Sequence, residues 1–236
     1  MRLDKFLADC GAGTRSEIKK LIKSGAVSVK GIGKLSPDTK IDPDSAEVFL
    51  KGEAVTYKKY VYLMLNKPTG CISATFDKHK PVVTDFVPDK YKHFEVFPVG
   101  RLDIDTVGLC LLTNDGELAH NLLSPAKHIP KTYYAEVDGE LTDEDVKAFA
   151  DGIDLGDFKA KPSKLEILNS GEEKSLAEVT ISEGKFHQVK RMFKSRGREV
   201  VYLKRTAMNR LVLDDNLAEG EIRELTSEEL RLLENE

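Results

Sequence analysis

The chain has 236 residues, 40% of them apolar, and a formal net charge of -4. This length allows one large domain or two smaller ones with a substantial core. No apolar run approaches membrane-spanning length and the N-terminus lacks a secretory h-region, so a soluble, cytoplasmic protein without a membrane partner is expected. Cys10, Cys71 and Cys110 are far apart and lack metal-ligand spacing, which indicates reduced thiols.

The N-terminal segment is predicted to form a helix, a second helix and a strand. The second helix begins at a Thr14-Arg-Ser-Glu17 capping box and ends before Gly25. Val27 and Val29 then alternate with polar residues, as in a strand. This unit resembles an S4 RNA-binding domain. The resemblance implies phosphate contacts, which position RNA without reading its sequence, from Arg15, Lys19, Lys20 and Lys23.

Residues 52–59 are polar, contain glycine and have no apolar period, which predicts a domain linker. Tyr60 to Leu65 is then predicted as a strand that ends in the turn Asn66-Lys-Pro-Thr-Gly70. A further strand is predicted from Glu95 to Val99 and leads into a second polar turn.

This second turn carries Arg101, Asp103 and Asp105, and the apolar run Leu109–Leu112 behind it is typical of a buried strand. Asp is common in turns, which alone accounts for Asp105. An EF-hand calcium loop fits poorly, because its fifth position holds a valine and its twelfth an asparagine, so no metal is expected. Two carboxylates also suit acid and base roles in hydrolysis, for which spacing alone is weak evidence.

Alternating helices and strands are predicted downstream. In Lys131–Val137 the alternation places Tyr133 on the more apolar face, where a lone tyrosine is typical of the core. The next predicted elements are a helix and two strands: Thr142–Ala150, Leu165–Leu168 and Leu176–Ile181.

A helix from Lys185 to about Arg196 is predicted with one apolar stripe. The stripe comprises Phe186, Val189, Met192 and Phe193. Lys190 lies on its border, where a lysine can cover apolar surface without a partner. Arg191 and Lys194 continue onto the open side and suit phosphate contacts. His187 has no identifiable carboxylate partner and is assigned to RNA contact or structure.

Four segments, in order, resemble the RsuA-type branch of the pseudouridine synthases: Leu65–Gly70, Gly100–Gly116, Lys131–Tyr133 and Ser182–Phe193. The resemblance implies an isomerisation in which the N1–C1′ bond of a uridine breaks and C5 takes the place of N1. No redox change or group donor is needed, and no Gly-rich nucleotide loop is present, so no cofactor is expected. The base must be flipped out of the RNA stack to react.

The same resemblance implies a role for each residue. Asp103 is the essential carboxylate, acting as a nucleophile at C1′ or as a base at C2′. Tyr133 supports the uracil, and Lys190 pairs with Asp103 and keeps it ionised. Arg101 fills the vacated stack or grips a phosphate. Lys67 borders the cleft, where RNA contact and a solvated strand end remain equally open.

The net negative charge does not exclude an RNA partner, because basic residues are concentrated in two segments, Met1–Lys34 and Ser182–Thr206. A solvated basic face without a ligand remains open for either segment. The predicted fold is α+β: an S4 domain (1–51), the linker, and a catalytic domain (60–236) of mixed, mostly antiparallel sheet with flanking helices.

The expected substrate is 16S rRNA, free or in a small-subunit assembly intermediate, and the protein is expected to act as a monomer. Two alternatives stay open. One is a 23S rRNA enzyme of the same branch. The other is an S4-bearing ribosome-assembly protein that binds RNA but has lost activity.

Overall fold

The computed structural model describes residues 1–234 and divides into two compact units. The first unit comprises Met1–Val61 and Val87–Val96, and the second comprises Tyr62–Phe86 and Phe97–Glu236. Residues 87–96 therefore group with the first unit, although they lie within the predicted catalytic domain. Within residues 1–234, no helix is both long and apolar enough to cross a membrane.

The first unit packs helices against a small sheet. Its helices are α1 (Leu3–Asp9), α2 (Arg15–Lys23) and α3 (Asp89–Lys92). Its antiparallel strands, in spatial order, are β1 (Val27–Val29), β2 (Val48–Leu50) and β3 (Glu53–Val55). β3 lies within the segment predicted as the linker. Its backbone pairs with β2, which the polar sequence of the segment did not indicate.

The predicted capping box opens α2. The Thr14 hydroxyl accepts from the Glu17 backbone N–H at 3.3 Å, and the Glu17 carboxylate accepts from the Thr14 N–H at 2.7 Å. Val27 and Val29 both face the core, as the alternation predicts. Because the apolar face of α2 is buried at Ile18 and Ile22, its basic side chains are left on the surface.

The second unit is built on a nine-stranded sheet. Its strands are β4 (Tyr62–Lys67), β5 (Phe97–Pro98), β6 (Val107–Thr113), β7 (Lys131–Asp138), β8 (Lys164–Asn169), β9 (Lys174–Ile181), β10 (Val200–Met208), β11 (Leu211–Val212) and β12 (Ile222–Glu224). The spatial order is β12-β4-β6-β10-β7-β9-β8, with β5 on β6 and β11 on β10. β6 and β10 are parallel, and the other pairings described between these nine strands are antiparallel. The predicted mixed, mostly antiparallel sheet is confirmed.

Helices and one short turn flank this sheet. They are a 3-10 turn (Val83–Phe86), α4 (Gly116–Leu123), α5 (Asp143–Asp151), α6 (Gln188–Ser195) and α7 (Ser227–Leu233). Every residue of β6 is buried, so the apolar run predicted as a buried strand is one. One core cluster joins β6 to α4 and α7 through Leu109, Leu122 and Leu233.

Gly108 allows β6 and β10 to meet. Its φ of +96° lies outside the range that side chains tolerate, and a Cβ there would stand 2.3 Å from the Arg205 carbonyl oxygen. Only glycine therefore fits at this close contact between the two strands. The contact lies directly after the Asp103 turn and fixes the point at which the chain enters β6.

α6 begins later than predicted. Gln188 is its first residue, because His187 adopts a left-handed conformation (φ +49°, ψ +31°) that interrupts the helix. Val189, Met192 and Phe193 are buried as predicted. Phe186 lies outside the helix and 75% of its surface is exposed, so its placement on the apolar stripe was wrong.

Candidate active site

The turn between β5 and β6, Arg101–Thr106, is held by the side chain of Lys67 at the end of β4. The Lys67 ammonium donates to the carbonyl oxygens of Thr106 (2.9 Å), Asp103 (3.1 Å), Pro68 (3.2 Å) and Ile104 (3.4 Å). The side chain is fully buried, and burial lowers the pKa of its ammonium. The expectation that Lys67 meets RNA is therefore wrong: its charge faces inward and fixes the turn.

Further hydrogen bonds to the backbone hold the same turn. Ser73 is buried, and its hydroxyl accepts from the Leu102 N–H at 3.0 Å while donating to the Leu102 carbonyl at 3.1 Å. The Gly70 N–H donates to the Ile104 carbonyl at 2.8 Å, and the Thr106 N–H donates to the Asp103 carbonyl at 3.1 Å. Hydrogen bonds thus hold the backbone of Asp103 and of its two neighbours, Leu102 and Ile104, and this fixes where the Asp103 side chain leaves the turn.

A cleft that is open to solvent and has a cavity volume of about 60 Å³ lies above this turn. The structure brings Arg101, Asp103, Tyr133 and Lys190 together there. Its other lining residues come mainly from the segment before α6, from α6 and from neighbouring strands: Leu102, Thr106, Ile181, Gly184, Lys185, His187, Gln188, Val189 and Leu203. Four of the residues that the sequence singles out therefore share one concave site.

Two nitrogen groups flank the Asp103 carboxylate. The Lys190 ammonium lies 3.7 Å from one carboxylate oxygen, and His187 Nε2 lies 3.5 Å from the other. Lys190 also forms a closer ion pair with Asp105. Burial alone would raise the pKa of Asp105, but the hydrogen bond and charge of Lys190 hold it below its usual value. Sequence reasoning missed this partner of Lys190, and it missed the carboxylate that faces His187.

Tyr133 forms an aromatic wall of the cleft. β7 carries it between β10 and β9, where it pairs with Arg205 and Val179. Its side chain is buried, as the alternation predicts, and the same face also lines the cleft. A residue in this position can contact a bound ring while its backbone stays fixed by two neighbouring strands.

The other predicted RNA contacts differ in their environment. Arg191 forms an ion pair with Asp157 and donates to the Leu155 carbonyl at 3.0 Å, so its guanidinium is engaged within the chain. Lys194 is exposed and 3.1 Å from Glu199. In the first unit, the exposed basic side chains of α2 are Arg15, Lys19, Lys20 and Lys23. Within residues 1–234, no group of three or more His, Cys, Asp or Glu side chains is placed to hold a metal.

The comparisons with known proteins agree with this architecture. The family model for RNA pseudouridylate synthase matches residues 61–195, and the S4 domain model matches residues 1–44. The chain therefore belongs to the RNA pseudouridine synthase family and carries an S4 domain. A solved structure described as pseudouridylate synthase superposes with a TM-score of 0.69, at 38% identity, over 99% of each chain.

The chain is similar to particular members of the family over nearly its whole length. It is 50% identical over 236 residues to an uncharacterized RNA pseudouridine synthase of Bacillus subtilis, covering 99% of this chain and 98% of that one. It is 40% identical to ribosomal small subunit pseudouridine synthase A of Haemophilus influenzae, covering 99% of each chain. It is also 40% identical to ribosomal large subunit pseudouridine synthase B of Bacillus subtilis, covering 98% and 95%.

Proposed function

We propose that this protein converts a uridine of 16S rRNA to pseudouridine, with Asp103 as the catalytic carboxylate. The observation that carries the proposal is the convergence of Asp103, Lys190 and Tyr133 on one cleft. The Haemophilus influenzae relative, named for the small ribosomal subunit, supports the choice of 16S rRNA. An rRNA substrate places the reaction in the cytoplasm, on free rRNA or on an assembly intermediate.

The proposed reaction proceeds in the cleft after the uridine has been flipped out of its stack. Tyr133 supports the face of the uracil, and Asp103 acts on the ribose at C1′ or C2′. The N1–C1′ bond breaks, the base turns, and a C5–C1′ bond forms. C5 then loses its proton and N1 gains one, so the base is isomerised without any group donor. Arg101 occupies the vacated stack or grips a phosphate.

Lys190 contributes charge to this step. Its ammonium lies 3.7 Å from the Asp103 carboxylate and forms a closer ion pair with Asp105, so it supplies positive charge beside the carboxylate that acts on the ribose. His187 places a polar ring nitrogen beside the other oxygen of the Asp103 carboxylate. Phosphate contacts from α2 of the S4 domain position the RNA without reading its sequence.

The test compares the wild type with Asp103→Asn on RNA that contains 5-tritiated uridine. The substitution changes one atom group on an intact turn, so folding and RNA binding are expected to be retained, while tritium release falls by a factor of at least about 1000. Naked 16S rRNA and partly assembled small subunits are assayed side by side. Full turnover by Asp103→Asn would remove this residue from the mechanism.

A second candidate substrate is 23S rRNA, because the chain is as similar to a large-subunit enzyme as to a small-subunit one. The same assay with 23S rRNA separates the two. Tritium release from 23S rRNA alone would replace the 16S proposal. Tight rRNA binding without release from either RNA would favour a binding protein that has lost its activity.

A further inference from the structure

Phe186 is exposed in the segment that leads into α6. Three quarters of its surface is open to solvent, although aromatic side chains are usually buried. Its ring stacks on the His187 ring, with 3.8 Å between the ring centroids and an angle of 18° between the planes. Phe186 therefore presents an exposed aromatic ring that is supported by the ring of His187.

The backbone holds this pair in place. His187 adopts a left-handed conformation that costs free energy in a non-glycine residue. The Gln188 side chain fixes the segment, because its oxygen accepts from the Lys185 N–H at 3.0 Å and its nitrogen donates to Glu183 at 2.8 Å. Strain of this kind persists only where surrounding contacts enforce it, and it is concentrated at functional sites.

The aromatic pair stands at the edge of the cleft. His187 lines the cleft and lies 3.5 Å from the Asp103 carboxylate. Gly184 and Lys185, which precede Phe186, also line it. Two cations belong to the same region: Lys190 lies beside the Asp103 carboxylate that His187 also faces, and Lys185, which precedes Phe186, has its ammonium 3.8 Å from the ring of Phe158. Exposed rings beside cations are the chemistry that binds single-stranded nucleic acid.

We propose that Phe186, backed by His187, stacks on the nucleobase next to the target uridine. This inference rests on the proposed function. Flipping a uridine into the cleft leaves its neighbour without a stacking partner. An exposed ring at the rim replaces that partner, and Arg101 then takes the second of its two proposed roles and grips a phosphate. The neighbours of Phe186 in the chain, Lys185 and His187, are exposed and polar, which suits a polyanionic nucleic acid better than an apolar protein surface. Phe186 is thus a substrate-positioning residue.

The test replaces Phe186 and separates binding from chemistry. With the rRNA that the wild type modifies, Phe186→Ala is expected to raise KM by a factor on the order of 5 to 100, with kcat within about threefold of the wild type. Phe186→Trp restores the KM, and Phe186→Leu, which keeps apolar surface but lacks a π face, does not. Leu168→Ala, at an exposed leucine of the edge strand β8, is the matched control and leaves KM unchanged.

A second readout detects the stack itself. The Asp103→Asn variant, which is expected not to turn over, is titrated with a fragment of the rRNA that the wild type modifies, carrying 2-aminopurine next to the target uridine. Stacking on Phe186 changes the fluorescence of this base, and adding Phe186→Ala abolishes the change. Two results would overturn the proposal. One is a wild-type KM in Phe186→Ala together with a fluorescence change as large as that of Asp103→Asn alone, and the other is rescue of KM by Phe186→Leu as complete as by Phe186→Trp.

These outcomes are distinguishable from a failure of the proposed function. A wild-type protein that releases no tritium from 16S or 23S rRNA refutes the proposed function. A wild type that turns over while Phe186→Ala matches it refutes only the stacking role. Because Phe186 is exposed, its replacement is expected to leave the unfolding transition unchanged, which urea denaturation verifies.

Discussion

Replacing Lys67 by methionine tests whether a buried charge positions the Asp103 turn. Methionine keeps most of the apolar stem but removes the ammonium that donates to four carbonyl oxygens. The carbonyls of Asp103 and Ile104 keep backbone donors from Thr106 and Gly70, so the turn is expected to shift rather than unfold.

The expected change in the free energy of unfolding combines the loss of hydrogen bonds with the relief of no longer burying a charge. Hydrogen bonds from a charged donor contribute about 1.5–3 kcal/mol each, and a buried carbonyl left unsatisfied costs about 1–3 kcal/mol. Removing the ammonium also removes the cost of burying it, which offsets part of this loss. We therefore expect Lys67→Met to lower the free energy of unfolding by about 2–4 kcal/mol. A displacement of Asp103 by about 1 Å would lower kcat on the order of 100-fold.

Urea unfolding followed by circular dichroism measures the first effect, and single-turnover tritium release measures the second. Ser175→Ala is the matched control. It removes a fully buried hydroxyl that donates to the Gly139 carbonyl at 2.7 Å, at the opposite end of β9 from the cleft residue Ile181. This control is expected to lose about 1–3 kcal/mol of stability and keep its kcat. A Lys67→Met protein that also keeps its kcat would refute the positioning role.

Two further predictions concern Lys190 and Lys131. Lys190→Met is expected to lower kcat about 100-fold, whereas Asp105→Asn, at an exposed carboxylate, is expected to change kcat less than threefold and stability by under about 1 kcal/mol. Equal losses of tritium release in both variants would contradict this. For Lys131, burial lowers the pKa to about 8. Its unfolded value is about 10.4, so the unfolded chain binds more protons above pH 8 and stability rises with pH. From pH 8 to pH 10 the wild type should gain roughly 2 kcal/mol over Lys131→Met, and parallel urea midpoints would count against this.

Local patterns were sufficient for much of the fold. The capping box of α2, the alternation of β7 and the apolar run of β6 each carry their signal within a few residues. β10 was missed because its charges were assigned to a basic surface. Its Arg205 is buried and donates to the Leu109 carbonyl at 2.7 Å, so a cation there serves the sheet. Val200–Met208 is rich in β-branched and aromatic residues, and that was the signal for a strand.

The site was predictable where motif residues carried it and not where contacts are distant in sequence. Asp103, Tyr133 and Lys190 come from three separate segments. Each segment resembles a motif of one family, and that resemblance predicts that the three residues share a site. No local pattern shows that Lys67 bonds a turn 36 residues away. Nor does any local pattern show that His187 lies beside Asp103. Its left-handed backbone conformation makes α6 begin only at Gln188 and turns the His187 ring toward Asp103.

Lys190 serves two carboxylates that differ in their exposure to water. The Asp103 side chain is 25% exposed and the Asp105 side chain 65% exposed. In the open cleft, the Lys190 ammonium contacts both carboxylates, and its closer contact is with Asp105. A nucleotide that fills the cleft removes water from around Asp103, so the attraction between Lys190 and Asp103 strengthens while the more solvated Asp105 pair stays screened. Under the proposed function, substrate binding would thereby shift the lysine's favourable interaction toward Asp103, the carboxylate proposed to act on the ribose.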